Sequence, residues 1–146
     1  MKNRIYAKKF TFIEHTADVQ FQAFGKTIEE MFGNAGLAMF NAMYEGRVRG
    51  KKIFTIKASG KDFESLLYNF LEELLVIFDG EGFFLSKVKS LMIKKIGERD
   101  FKLEAEVVGD KAENYKIHVG VKAITYHGMF VKQQGKKWVC QVVLDV

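Results

Sequence analysis

Apolar and polar residues alternate over 9–13 (Lys9-Phe10-Thr11-Phe12-Ile13) and again over 19–24 (Val19-Gln20-Phe21-Gln22-Ala23-Phe24), which is the period of half-buried β-strands. Between the two runs stands a polar cluster, Glu14-His15-Thr16-Ala17-Asp18, at a place where a strand ends or bends. After a turn at Gly25-Lys26 the spacing changes to threes and fours. Thr27-Ile28-Glu29-Glu30 has the spacing of a helix capping box. Ile28, Met31, Phe32, Ala35, Ala38, Met39, Ala42 and Met43 then form one apolar stripe that ends near Tyr44, with the methionines as core filler. Gly33 and Gly36 each weaken a helix by about 1 kcal/mol relative to alanine, so their presence predicts close packing.

A loop over 45–50 leads to a strand over 52–58 with Phe54, Ile56 and Ala58 on its inner face. Asp62 reads as the N-cap of a second helix. Its apolar face, from Phe63 through Leu66, Leu67, Phe70, Leu71, Leu74 and Leu75 to Phe78, is wider than that of the first, and Asp79-Gly80-Glu81-Gly82 ends it. From Phe83 onward the helical period is gone. Residues 88–96 and 100–108 form a hairpin turning at Gly97-Glu98-Arg99, 109–116 is a polar loop, and strands follow over 117–126, 129–133 and 137–144. The expected architecture is an α+β two-layer sandwich, two helices packed on one face of a mostly antiparallel sheet, in one domain over 1–146.

Composition narrows this picture. A chain of 146 residues that is 48% hydrophobic can bury about two-thirds of its unfolded surface in one core. The single cysteine, Cys140, excludes an internal disulfide framework and a multi-cysteine zinc site, and its alternation with Trp138 and Val142 makes it a small buried hydrophobe. No apolar run of signal-peptide length follows the basic start, and the richest one, over 63–78, is broken by Glu72 and Glu73; the expected location is the cytoplasm, with no membrane contact. The net charge of +5 suits an acidic partner or nucleic acid. Its lysine pairs are scattered, however, and read as solvated faces and edge protection rather than a dedicated nucleic-acid motif.

Three stretches carry candidate chemistry. In Glu14–Asp18, Thr16 and Asp18 are either turn formers or, with Glu14 and His15, part of a polar site. In Val121-Lys122-Ala123-Ile124-Thr125-Tyr126-His127-Gly128, His127 is either a structural group or a ligand or general acid. The final Leu144-Asp145-Val146 sets a side-chain carboxylate next to the terminal one, and two like charges so close repel unless a cation lies between them. Asp18 alongside would complete an all-oxygen cluster suited to Ca²⁺ or Mg²⁺ rather than zinc; a merely solvated terminus is the alternative. There is no phosphate-cradling glycine loop and no nucleophile with a visible base, so the chain does not read as an enzyme.

Together, Glu14-His15-Thr16-Ala17-Asp18, Gly25-Lys26-Thr27-Ile28-Glu29-Glu30, the block from Leu66 to Leu75, Val121-Lys122-Ala123-Ile124-Thr125-Tyr126-His127 and Leu144-Asp145-Val146 resemble, in this order, the archease family. The resemblance implies a small cytoplasmic protein that activates an RtcB-type RNA ligase in tRNA splicing and RNA repair. Such a protein promotes guanylylation of the ligase, which uses GTP and Mn²⁺, and restores its multiple turnover without ligating RNA itself. It also implies a divalent metal site, Ca²⁺ with Mg²⁺ or Mn²⁺ as alternatives, on Asp18, Asp145 and Val146, flanked by Glu14, His15 and His127. A second role attached to the family is a chaperone-like modulator of a tRNA-modifying enzyme such as a tRNA methyltransferase.

Overall fold

The computed structural model describes residues 8–13 and 18–146. Its elements, in order, are β1 (Phe10–Ile13), β2 (Val19–Gly25), α1 (Ile28–Met43), β3 (Lys52–Gly60), α2 (Phe63–Glu81), β4 (Phe83–Ile96), β5 (Asp100–Lys111), a 3-10 turn at Ala112–Asn114, β6 (Ala123–Gln134) and β7 (Lys137–Asp145). The class is α+β, and the paired strands are antiparallel. They fall into two sheets where the sequence pattern suggested one: β1-β2-β7-β6 and β3-β5-β4. Each helix packs on strands of both sheets. The core is therefore continuous, from Phe21 in the first sheet through Met39 and Phe70 on the helices to Val107 in the second.

Local chemistry accounts for the helix ends. The Thr27 hydroxyl accepts from the Glu30 N–H at 3.1 Å, while the Glu30 carboxylate reaches back to the N–H of Lys26, one residue before the cap. At α2 the box is reciprocal. Asp62 accepts from the Ser65 N–H at 2.7 Å, and the Ser65 hydroxyl accepts from the Asp62 N–H at 3.2 Å. The helix then runs through Asp79 and Gly80 to Glu81, where Gly82 at φ 64° turns the chain and donates its N–H to Phe78 O at 3.1 Å. Gly36 explains how closely the helices approach: a Cβ there would lie 3.0 Å from Leu74 Cδ1.

Two strand boundaries differ from the periodicity for identifiable reasons. β4 begins at Phe83; Phe83, Phe84 and Leu85 pair in regular register and are all buried because Phe54 covers Phe83 and Phe40 covers Phe84, and register shifts at Leu85/Lys87 and Val88/Ser90 break the alternation beyond them. Residues 117–122 alternate but pair with no strand. They are pinned instead by single bonds, His118 N–H to Met43 O at 2.9 Å and Lys122 N–H to Asp145 O at 2.8 Å. β6 then runs without interruption through Gly128, whose φ of 67° bends it locally. No helix among the described residues is long and apolar enough to cross a membrane.

Candidate metal centre

The register of the first sheet determines what meets at its end. Val19, the first residue of β2, pairs with Leu144 on β7, and Ala123, the first residue of β6, pairs with Asp145. Asp18 directly precedes Val19 and Asp145 directly follows Leu144, so the two aspartates, far apart in sequence, lie at the same end of the sheet, each one residue beyond the last β2–β7 pair. Cys140, Val142 and Leu144 of β7 point into the core and are buried, whereas Asp145 is exposed and Asp18 half-buried. Val146 is half-buried against the core, which anchors the chain just beyond Asp145.

This donor set, carboxylates and backbone oxygens on neighbouring strands, is suited to a hard divalent cation that would offset the repulsion between the two aspartates. Among the described residues no three His, Cys, Asp or Glu side chains cluster as a metal group. Glu14 and His15 lie outside the described residues.

His127 occupies a different position. It follows Ala123 by four residues, about 13 Å along β6 from the strand position facing Asp145. It is exposed, on the irregular stretch between the Thr125–Val143 and Phe130–Gln141 pairs. A polar ladder holds that stretch: Gln22 donates to Gln141 at 3.0 Å, Gln141 donates to Gly128 O at 2.9 Å, and Thr125 donates to Val143 O at 2.9 Å. Cys140 is fully buried, and burial pushes its thiol up to about 12, which removes it as a nucleophile at neutral pH.

Two features escaped the sequence pattern. Lys122, through the bond from its N–H to Asp145 O, brings a lysine next to the acidic end. Asp110 is buried and accepts from the Tyr115 hydroxyl at 2.6 Å, the Lys111 N–H at 2.8 Å and Asn114 Nδ2 at 3.4 Å. The Tyr115 bond foremost, then that from Lys111, holds its carboxyl below the usual carboxylate range. Burial, and next to it the Asp110 carboxylate, pushes the Tyr115 hydroxyl up, although the Arg49 N–H that donates to it at 2.9 Å pulls the other way. This clasp fastens the start of the segment that leads to Lys122. Nothing in the sequence marks it, because Asp110 sits in a polar run that reads as loop.

Residues 10–146 match the model of the Archease protein family (MTH1598/TM1083). The chain belongs to the archease family. Protein archease of Pyrococcus abyssi is 38% identical over 143 residues, covering 95% of this chain and 99% of its own. That of Sulfurisphaera tokodaii is 35% identical over 142 residues, with coverage of 95% and 99%. The archease fold is also that of the solution structure of Methanobacterium thermoautotrophicum protein 1598, which is 32% identical, has a TM-score of 0.79, and is aligned over 94% of this chain and 98% of that one. A crystal structure from Thermotoga maritima, described as an archease, possible chaperone, has the same fold at 19% identity, with a TM-score of 0.60 and coverage of 92% and 94%.

Proposed function

We propose that this archease is a metal-holding activator of an RtcB-type RNA ligase, promoting its guanylylation and multiple turnover in tRNA splicing and RNA repair. The observation that supports the reading is the strand register of Val19 on Leu144, which leaves Asp18 and Asp145 at the same end of a sheet, with Val146 next in line. In this reading Asp18, Asp145 and Val146 hold the ion, Ca²⁺ first and Mg²⁺ or Mn²⁺ as alternatives. When bound, the ion offsets the charge of the donors and gives the tip a fixed shape. Leu144 and Val146 tie the carboxylates to the core. The tip enters the mouth of the ligase active site and favours the guanylylation-competent state by binding it better than the resting one. Glu14, His15 and His127 supply partner contacts around the tip, and the tRNA is met through the ligase.

The test is multiple-turnover ligation by the RtcB-type ligase of the same organism, with GTP and Mn²⁺, with and without this chain. Stimulation by the native chain, lost in Asp18→Ala, is expected, with the melting temperature measured without divalent metal unchanged, because a half-buried aspartate at a sheet end carries little packing energy. Full stimulation by folded Asp18→Ala would refute the role of the tip. A second reading is a chaperone-like modulator of a tRNA-modifying enzyme such as a tRNA methyltransferase; the Thermotoga maritima structure is itself described as a possible chaperone. That reading predicts suppressed aggregation of the methyltransferase and no effect on ligation.

A further inference from the structure

The charges of the chain are segregated. Although the net charge is +5, α2 carries Glu64, Glu72, Glu73, Asp79 and Glu81 and no lysine or arginine along its 19 residues. Its last turn has no basic residue, so Asp79 and Glu81 meet the negative end of the helix dipole without compensation. Glu72, Glu73 and Val76 are exposed on the outer side of the helix, Val76 at 54%. A helix face that breaks the usual charge rules while the rest of the chain is basic is the kind of local inconsistency that function explains.

An aromatic ledge adjoins this face. Tyr68 of α2 and Tyr126 of β6 lie parallel, ring centroids 4.3 Å apart and planes at 6°, and Tyr126 is 53% exposed. Glu64 and Glu72 stand one helical turn before and after Tyr68 on the same side of α2, and burial foremost, then Tyr68, Asp62 and Glu72, raises the Tyr126 hydroxyl. A flat π-surface flanked by carboxylates is what a guanidinium seeks, since it can stack on the ring and pair with the acids at once. The opposing charges nearby are Lys132, seated over Phe130, and Lys57, which lines a hollow with Glu72 and Glu73. Along β6, Tyr126 follows Ala123, the partner of Asp145, by three residues, about 10 Å, so the ledge lies on the helix side of the same sheet whose end carries the aspartates.

The geometry points to the Tyr68–Tyr126 ledge and the outer face of α2 as a docking surface for an arginine-bearing, basic surface of a protein partner. Nucleic acid is disfavoured there by like charge. The inference rests on the Asp18–Asp145 end being the one turned toward the partner, and its test does not depend on ligation.

The measurement is a fluorescence-anisotropy titration of the full chain into a labelled arginine-rich peptide and into its lysine counterpart. Tighter binding of the arginine peptide, by about fivefold, is expected from stacking. Tyr126→Ala should remove that preference and Tyr126→Phe should keep it. The double variant Glu72→Gln, Glu73→Gln should weaken both peptides and flatten their salt dependence. Equal binding of the two peptides with no effect of Tyr126→Ala overturns the inference. So does concentration-dependent self-association abolished by the same glutamate changes, which would assign the face to a second copy of the chain. Full ligase stimulation by folded Asp18→Ala, with the arginine preference and its loss in Tyr126→Ala intact, would overturn the tip and leave this surface standing.

Discussion

Asp62 shows how one side chain sets an element and ties it to pH. Its carboxylate accepts the Ser65 N–H, and that bond, followed by the one with the Ser65 hydroxyl, holds its ionisation below the ordinary value of 3.8. A carboxylate whose folded value is depressed adds stability above its unfolded value and loses it as pH falls through the folded one. Asp62→Ala should therefore lower stability by about 1 kcal/mol at neutral pH, as loss of an N-cap does. The gap from the native chain should close below about pH 3.8. Urea melts at neutral and acid pH check this, and a gap that persists unchanged in acid would refute it. Asp62 was legible in the sequence because a cap declares itself by spacing. Asp110 was not, because a buried aspartate is defined by Tyr115, Lys111 and Asn114 folding back over it.

The two helices could be read because their apolar stripes repeat over several turns, and the stripe residues Phe32, Met39, Leu67 and Leu74 are all fully buried. Strands were harder to read. β4 loses its alternation at two register shifts, and 117–122 alternates without a strand to pair with. The split into two sheets depends on which strands pair, and no single strand carries that information. Gly109 is one place where pairing is enforced by a residue. It faces Lys52 on β3 and Leu85 on β4, and a Cβ there would strike the carbonyl oxygen of Phe84 and come within 2.6 Å of the Phe83 ring. Both obstacles are parts of the sheet or core and cannot swing aside. Gly109→Ala should destabilise the fold by about 1–3 kcal/mol, the usual penalty of overpacking. A chemical-denaturation midpoint equal to that of the native chain would show that β4 and β5 can separate without penalty.

At the scale of the whole molecule, the candidate metal centre joins parts that the sequence keeps apart. The sequence placed Asp18 before one strand and Asp145 at the end of another, and the charge of Asp145-Val146 suggested a cation. Only the antiparallel register of β2 on β7 brings the two aspartates to the same end of the sheet. An ion held there in the proposed manner would tie the first strands to the last, and one that binds the folded chain alone adds stability in proportion to the logarithm of its concentration. At a hundredfold excess over its dissociation constant the gain is about 2.7 kcal/mol. Calcium should accordingly raise the melting temperature by several degrees. The rise should vanish in Asp145→Asn and return to baseline on chelation in the native chain. Asp145 is exposed, so this substitution removes charge at little packing expense, and the variant without calcium should melt at or above the native chain without calcium, since one of two repelling carboxylates is gone. A calcium-induced rise that survives in Asp145→Asn would locate the ion elsewhere, and no rise at any divalent concentration would leave Asp18 and Asp145 as partner contacts without a metal.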